Sequence, residues 1–353
     1  MRAREAVAAS DVDALIITSH SNIRWLTGFA GSNGLVVLSE EDLVLFTDSR
    51  YADRAPEEIA QVASTGTVVI ASVDLGERVG RTLRGLARVG LEANDVTWAR
   101  QQAIATDWLP AAEVCATTGV LESLRSAKDA AEIARIERAA GIVDEALASV
   151  AGLLGDGPTE RSFAAALDAE IRVRGADDLG FETIVASGPN GAIPHHAPAD
   201  RTVRSGDLVI VDVGAQIDGY RSDMTRTFCV GSMTADQQRH YDTVVEAQQA
   251  GVVAMRAGIR TADVDAAARD VIAAAGWADC FQHGTGHGVG LDIHELPRVA
   301  AAADDLYDIG TVATVEPGVY LRGIGGVRIE DTCVVTVDGA RRLTRFPKDA
   351  PSV

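Results

Sequence analysis

Cysteine is scarce in this chain of 353 residues, and no two cysteines form a Cys-x-x-Cys pair. The four cysteines lie far apart, at Cys115, Cys229, Cys280 and Cys333. Isolated thiols in apolar stretches are usual in proteins of a reducing compartment, whereas a disulfide framework needs paired cysteines. We therefore expect a cytoplasmic location.

Basic side chains are also fewer than acidic ones. The chain has 32 Lys and Arg against 51 Asp and Glu, which gives a net charge of −19. Because binding to phosphates needs clusters of basic residues and none is present, we expect no nucleic-acid partner. We interpret the acidic excess as solvated surface. Long apolar runs are missing too, so we expect neither a signal peptide nor a membrane span.

The chain length exceeds that of a usual single domain, so we expect two domains, 1–122 and 123–353. The first alternates short apolar runs with helical stretches, which predicts an α/β domain with a mixed sheet. Strands are expected at 12–18, 35–38, 43–47 and 68–71, and an amphipathic helix at 75–87.

Apolar residues recur at helical spacing in the second domain, and Gly or Pro residues separate the segments. Helices are expected at 129–154, 160–174, 235–257 and 261–275. Strand-like segments lie between and after these helices. This order predicts an α+β domain with helices on one face of an antiparallel sheet.

Two segments of the first domain leave alternatives open. The stretch 22–34 mixes aromatic residues with glycine and is expected to be a long loop, which either packs on the domain or reaches a partner subunit or a substrate. Asp48 and Ser49 either belong to a buried polar network or cap a helix start, and we favour the cap.

Histidine and glycine are concentrated between Gln282 and Glu295. Three of the seven histidines lie there within twelve positions, and four glycines alternate with other residues. Imidazole is a common metal ligand. The stretch has no His-Glu-x-x-His motif, because Pro297 and Arg298 stand where a helix and the second histidine are needed. A metal bound here needs carboxylates from elsewhere.

The second domain contains an internal repetition that supplies such carboxylates. Segments 206–214 and 309–318 are both apolar strands that end on a carboxylate with a glycine two positions later. The carboxylate is Asp212 in the first segment and Glu316 in the second. Each is followed by a turn and another strand that carries a further carboxylate, Asp223 or Glu330. The pattern suggests a duplicated half-domain.

A carboxylate in an apolar strand is costly to bury unless it is neutralised. Pairing with Arg226 or Arg328 is one explanation. A metal site is the other, and four carboxylates with one nearby imidazole fit it better. Oxygen ligands with one histidine suit manganese, cobalt, iron or zinc, and four carboxylates carry enough charge for two divalent ions.

Five short motifs around these residues resemble the metal site of the pita-bread metallopeptidases, which include methionine aminopeptidase, aminopeptidase P and prolidase. They are Val-Asp-Val-Gly, Ser-Asp-Met-Thr, Gly-Thr-Gly-His-Gly, Val-Glu-Pro-Gly and Arg-Ile-Glu-Asp. Residues 1 to about 120 resemble the N-terminal domain of the Xaa-Pro peptidases. The resemblance implies a C-terminal pita-bread fold with pseudo-duplicated halves, preceded by a creatinase-N-like α/β domain.

The same resemblance implies a role for each ligand. Asp212 would bind one metal, Asp223 and Glu330 would bridge two, and His287 and Glu316 would complete the shell of the second. Glu316 would also be the general base for the attacking water. Two divalent ions per chain follow, with manganese expected and cobalt, iron or zinc as alternatives.

Four further residues match the Xaa-Pro branch. His195 would contact the scissile region and stabilise the oxyanion, and His283 and His294 would line the prolyl pocket and orient the substrate. Arg328 would steady the bridging carboxylates. His196 has no counterpart in the motif and is taken as a surface or second-layer residue. We expect His20 and His240 to have only structural roles.

The expected activity is hydrolysis of the N-terminal Xaa-Pro bond of a proline-containing peptide, as in aminopeptidase P. A prolidase is the alternative. A metal-independent creatinase-like relative or a non-catalytic one is less favoured, because such relatives lose ligands and this chain keeps all five. Family resemblance also implies a homodimer.

Overall fold

The structure is a computed structural model that describes residues 2–62, 66–348 and 352–353. It divides the chain into two compact units, Met1–Arg125 and Ser126–Val353. In the described part of the chain, no helix has the length and apolar character that crossing a membrane requires.

The first unit is built on a six-stranded mixed sheet with the order β4-β3-β2-β1-β5-β6. Its strands are β1 (Ala14–Ile17), β2 (Gly34–Ser39), β3 (Leu43–Thr47), β4 (Thr67–Ile70), β5 (Arg88–Glu92) and β6 (Glu113–Thr117). Its helices are α1 (Arg2–Ala9), α2 (His20–Thr27), α3 (Arg54–Gln61), α4 (Leu75–Thr82) and α5 (Trp98–Ala103), and α6 (Glu122–Ser126) follows. The prediction of an α/β domain with a mixed sheet is confirmed.

The central strand β1 is buried along its whole length, which explains its uninterrupted apolar sequence. Alternate side chains enter two different cores. Ile16 packs with one cluster of apolar residues, and Leu15 and Ile17 pack with the other. The sheet is therefore covered on both faces.

The expectation of one loop over 22–34 is wrong for its first part, where α2 forms and ends at Gly28 with a left-handed φ of 73°. Ile23 is buried among the apolar residues of this unit. Asn22 is also buried, and its side chain donates to Glu92 at 2.7 Å and accepts from Arg125 at 2.7 Å. Tertiary packing thus overrides a weakly helical sequence.

The other alternative in this unit is resolved in favour of the cap. Asp48 precedes a 3-10 helix, Ser49–Tyr51, and its side chain accepts from the backbone N–H of Arg50 at 2.9 Å. The helix expected at 75–87 is shorter than predicted, because α4 ends at Thr82 and Gly85 follows with a φ of 90°.

The second unit contains four long or medium helices and thirteen strands within the described residues. The helices are α7 (Ala130–Val150), α8 (Glu160–Val173), α9 (Ala235–Ala254) and α10 (Thr261–Ala274). The first strands are β7 (Asp178–Leu179), β8 (Ile184–Ser187), β9 (Leu208–Val213), β10 (Ala215–Ile217), β11 (Tyr220–Arg221) and β12 (Met224–Cys229). The later strands are β13 (Gly286–Gly288), β14 (Glu295–Val299), β15 (Val312–Val315), β16 (Gly318–Leu321), β17 (Gly325–Arg328), β18 (Asp331–Thr336) and β19 (Gly339–Arg342).

All four predicted helices of this unit form, with small differences at their ends. The first begins with a capping box in which Asp129 and Glu132 bind each other's backbone N–H groups. It passes into a 3-10 helix, Ala151–Asp156, instead of continuing to 154 as an α-helix. The prediction of an α+β domain is confirmed.

Two similar antiparallel pairs correspond to the internal repetition. Strand β9 pairs with β12, and β15 pairs with β18. Asp212 lies near the end of β9 and Asp223 directly precedes β12, while Glu316 directly follows β15 and Glu330 directly precedes β18. Because each pair is antiparallel, the end of one strand meets the start of its partner. The backbone N–H of Glu330 donates to Thr225 O at 3.1 Å and joins the two pairs.

Candidate active site

One cavity of about 590 Å³ in the second unit brings together every site residue that the sequence predicted. These residues are His195, Asp212, Asp223, His283, His287, His294, Glu316, Arg328 and Glu330. The carboxylates, His287 and Arg328 come from β9, β13, β17 and the residues next to β12, β15 and β18, while His195, His283 and His294 lie in loops. The duplicated strand pairs and the histidine-rich stretch therefore form one site.

The centre of the cavity is a cluster of carboxylates around one imidazole. One donor atom each from Asp223, His287 and Glu330 lie within 4.8 Å of one another. His287 Nε2 is 3.6 Å from Asp223 Oδ2 and 3.4 Å from Glu316 Oε1. This is a suitable spacing for side chains that share a cation.

The glycines around His287 allow very close packing of backbone. A Cβ at Gly286 would lie 2.1 Å from Thr314 O, and one at Gly288 would lie 2.1 Å from Leu296 O. His287 Nδ1 is 3.1 Å from Gly288 O and donates to it, so the Nε2 lone pair points towards the carboxylates. Only glycine permits this position of the imidazole.

The donor set fits divalent cations. Asp212 and Glu330 each use one oxygen within the protein, since Arg328 donates to Asp212 Oδ2 at 2.8 Å and Thr225 donates to Glu330 Oε2 at 2.7 Å. The second oxygen of each, Asp212 Oδ1 and Glu330 Oε1, is buried and has no hydrogen-bond partner in the described part of the chain. Buried polar atoms normally have partners, and a cation would satisfy both oxygens.

The electrostatics of the cluster support the same conclusion. Burial raises the pKa of Asp223 well above its ordinary value, and repulsion from Glu330 and Asp212 adds to the effect. Burial likewise raises the pKa of Glu330 and of Glu316. Cations in the cluster would remove this penalty and keep the carboxylates ionised near neutral pH.

Arg328 connects the cluster to its surroundings. Besides Asp212, its guanidinium donates to Thr225 Oγ1 at 3.1 Å, to Tyr320 Oη at 2.9 Å and to Pro194 O at 3.1 Å. It therefore reaches Glu330 only through Thr225. The bond to Pro194 ties the guanidinium to the segment that carries His195.

The alternative in which arginines neutralise the strand carboxylates accounts for only one of them. Arg328 pairs with Asp212, whereas Arg226 pairs with Asp331 at 2.8 Å. Both Arg226 and Asp331 are completely buried. Asp223, Glu316 and Glu330 have no ion pair with either arginine in the described chain.

His283 has both ring nitrogens engaged. Its Nδ1 donates to Gly284 O at 2.8 Å, and its Nε2 accepts from Tyr320 Oη at 2.9 Å. Burial lowers the pKa of His283 and raises that of Tyr320 to about 12, which agrees with a neutral imidazole beside a protonated phenol. His283 thus presents a fixed ring to the cavity.

His195 and His294 are exposed within the same cavity. The His294 ring meets the His287 ring edge to face, with centroids 4.4 Å apart. Neither His195 nor His294 has a side-chain hydrogen bond to the described residues, so their nitrogens are available to a substrate.

The remaining histidines lie outside the cavity. His196 Nε2 is 2.8 Å from the buried carboxylate of Glu160. His240 is buried, with its Nε2 3.0 Å from Val319 O. His20 is the first residue of α2 and is exposed.

Several residues of the cavity were not predicted from the sequence. Arg298, which had served only to exclude a His-Glu-x-x-His motif, lines the cavity and is exposed. Phe181, Glu182 and Ile184 form another part of its wall. No local signal in the sequence marks this wall, because its place beside Asp212 depends on the pairing of β8 with β9. Tyr320, which contacts His283 and Arg328, was also not predicted, although it stands only four positions after Glu316.

Family models match both units of the chain. The model described as metallopeptidase family M24 matches residues 134–337. The chain belongs to metallopeptidase family M24. The creatinase/prolidase N-terminal domain matches residues 1–127. The identification from sequence is confirmed, as is the prediction of a metallo-exopeptidase, and family membership implies divalent cations.

Similar proteins are known by sequence and by structure. The chain is 31% identical over 350 residues to a Xaa-Pro dipeptidase of Pyrococcus horikoshii, covering 98% of this chain and 96% of that one. A solved Xaa-Pro dipeptidase from Bacillus anthracis superposes with a TM-score of 0.95 at 34% identity, covering 100% and 98% of the two chains. An X-Pro aminopeptidase from Thermotoga maritima gives a TM-score of 0.89 at 29% identity, covering 99% and 100%.

Proposed function

We propose that this M24 enzyme is a metal-dependent Xaa-Pro dipeptidase. The relatives named as Xaa-Pro dipeptidases, from Pyrococcus horikoshii and Bacillus anthracis, support the choice. The sequence had favoured an aminopeptidase P, and that activity becomes the second candidate, supported by the similar X-Pro aminopeptidase. The two activities differ in whether the substrate continues beyond proline.

The choice of a dipeptidase over an aminopeptidase rests on the position of Arg298. It lies opposite His287 in the β13–β14 register and lines the cavity, with its side chain exposed. It has no ion pair or hydrogen bond to the described residues. A guanidinium there can bind the free carboxylate of a dipeptide, a group that a longer peptide does not offer after proline.

We assign the metal ligands as Asp212, Asp223, His287, Glu316 and Glu330, with two divalent ions per chain. Manganese is the proposed ion, and the oxygen-rich donor set also suits cobalt, iron or zinc. When bound, such ions would polarise the scissile carbonyl and lower the pKa of a water molecule.

The side chains around the cluster would divide the remaining tasks. The carboxylate of Glu316 takes the proton of the attacking water and passes it to the proline nitrogen. His195 and His294 have free ring nitrogens and donate to the oxyanion and the substrate. His283 forms a wall of the prolyl pocket, held by Tyr320. Arg328 holds Asp212 and Glu330 in place, directly and through Thr225.

Three further proposals come from the sequence. The functional domains are 1–122 and 123–353, the enzyme is a homodimer, and it acts in the cytoplasm. All four cysteines are unpaired, which supports a reducing compartment.

Hydrolysis of matched peptides tests the proposal. The manganese-loaded enzyme is given Ala-Pro, Ala-Pro-Ala and Ala-Ala, with an EDTA-treated sample as control. A dipeptidase cleaves Ala-Pro with the highest kcat/KM. Preference for Ala-Pro-Ala would make the enzyme an aminopeptidase P, and preference for Ala-Ala would refute selection for proline.

A further inference from the structure

Two residues of opposite charge line the cavity, one within β14 and the other just before β8. Strand β14 places Arg298 opposite His287. Strand β8 places Ile184 opposite Asp212, and Glu182 lies two residues before Ile184. Both Glu182 and Arg298 line the cavity and are exposed.

These two residues indicate how a dipeptide would lie in the cavity. With its carboxylate at Arg298, the dipeptide would place its proline on the side of His287 and His294. The side chain of the preceding residue would then extend towards the wall that contains Phe181, Glu182 and Ile184. That wall offers an aromatic ring, an aliphatic chain and one carboxylate.

Both neighbours of Glu182 are held in place. The Phe181 ring packs on Gly214, where a Cβ would lie 2.7 Å from Cε1 of the ring. Thr183 Oγ1 donates to Asp168 Oδ1 of α8 at 2.6 Å. The backbone of Glu182 is therefore held in place, while its side chain is exposed. Its own carboxylate has no hydrogen bond or ion pair in the part of the chain that the structure describes.

We propose that Glu182 selects substrates with lysine or arginine before the proline. This inference rests on the proposed Xaa-Pro activity. A long basic side chain can pack its methylene groups against Phe181 and Ile184 and place its charge beside the exposed carboxylate of Glu182. A short or acidic side chain gains neither contact, and an acidic one is repelled.

Hydrolysis of Lys-Pro and norleucine-Pro by the manganese-loaded enzyme provides the test. The two substrates share the same four-carbon side chain, and only lysine adds an ammonium group to its end. Because the ion pair is exposed, we expect kcat/KM to be about two- to five-fold higher for Lys-Pro. This ratio should fall as sodium chloride screens the pair.

Two variants of Glu182 and one control complete the experiment. In Glu182→Gln the ratio should approach one, and in Glu182→Lys it should fall below one while Glu-Pro becomes a better substrate than Lys-Pro. Glu77→Gln removes the same charge from an exposed residue of the first unit and should keep the wild-type ratio.

The outcomes separate the two proposals. If the wild type cleaves norleucine-Pro but the ratio is one or is unchanged in Glu182→Gln, the role of Glu182 is refuted and the Xaa-Pro activity stands. If the wild type cleaves neither dipeptide, both proposals are refuted.

Discussion

Lys128 Nζ lies 2.6 Å from Glu295 Oε1, and the two side chains are 1% and 4% exposed. The Glu295 carboxylate fills the space inside the loop after His287, because a Cβ at Gly290 would lie 2.4 Å from Oε1. The backbone N–H of Asp292 donates to Glu295 Oε2 at 3.4 Å. This ion pair therefore holds the segment between His287 and His294.

Lys128→Met should destabilise the enzyme strongly. Removing one partner leaves the Glu295 carboxylate buried without its counter-ion, and such changes cost about 3–5 kcal/mol. The measurement is the free energy of unfolding in urea. Arg135→Met is the control, since the pair of Arg135 with Asp218 is exposed and its loss should cost at most about 1 kcal/mol. Equal effects of both changes would contradict a special role of the buried pair.

Glu160 organises the segment that precedes and follows His195. Its carboxylate accepts from the Ser187 N–H at 2.8 Å, from Asn190 Nδ2 at 3.0 Å and from the Ala199 N–H at 3.0 Å, and it lies 2.8 Å from His196 Nε2. Glu160→Gln should destabilise the enzyme at neutral pH by about 1–3 kcal/mol, because buried donors lose a charged acceptor. It should also lower kcat by displacing His195, with bound metal unchanged.

The stabilisation from Glu160 should depend on pH. Burial by itself raises the pKa of Glu160, but hydrogen bonds from Ser187, His196 and Asn190 outweigh it, so the net pKa is lowered from 4.5. A lowered pKa in the folded state means that the stabilisation is complete above about pH 4.5 and declines as the pH falls through the folded-state value. The stability gap between wild type and Glu160→Gln should be constant from about pH 6 to 8 and shrink below about pH 4.5. A gap that widens on acidification would contradict this account.

Arg298→Gln should weaken the binding of dipeptides selectively. The variant keeps a hydrogen-bond donor but loses the positive charge that would bind the substrate carboxylate. Truncating a charged contact at a partly exposed site costs about 1–2 kcal/mol, so KM for Ala-Pro should rise roughly five- to thirty-fold. KM for Ala-Pro-amide, which has no carboxylate, should change little. A similar rise for both substrates would show that Arg298 does not recognise the carboxylate.

Asp223→Asn should remove metal and activity together. The amide offers one neutral oxygen where a bridging carboxylate is proposed, so the affinity for divalent ions should fall. Metal content by elemental analysis and turnover of Ala-Pro are the two measurements. Asp200→Asn is the control, because Asp200 lies in an exposed pair with Arg161. Full metal content with full activity in Asp223→Asn would refute its assignment as a ligand.

Much of the fold and of the site could be predicted from local sequence. Strands such as β9 and β15 are short apolar runs that end on a carboxylate, and a duplicated pattern predicts duplicated antiparallel pairs. Once Asp212 and Asp223 lie at meeting ends of such a pair, their proximity follows. The short motifs around the individual ligands are therefore sufficient to predict most of the carboxylate cluster.

The features that could not be predicted depend on contacts between residues that are far apart in the sequence. Glu160 begins a helix and looks like an ordinary first-turn acid, yet it binds residues up to 39 positions away. Glu182 and Arg298 lie 116 positions apart and share a cavity only through the fold. Helix α2 forms from a sequence of modest helix propensity because Ile23 and Asn22 are buried.

Titration of the metal-depleted enzyme with manganese, with turnover of Ala-Pro measured at each step, shows whether the carboxylate cluster binds the catalytic metal. We expect no cleavage in EDTA, a rise in activity with added metal, and saturation at about two ions per chain, the number proposed for the four carboxylates and one imidazole of the cavity. Undiminished cleavage of Ala-Pro after complete removal of metal, or tight metal binding without any cleavage of Ala-Pro, would contradict it.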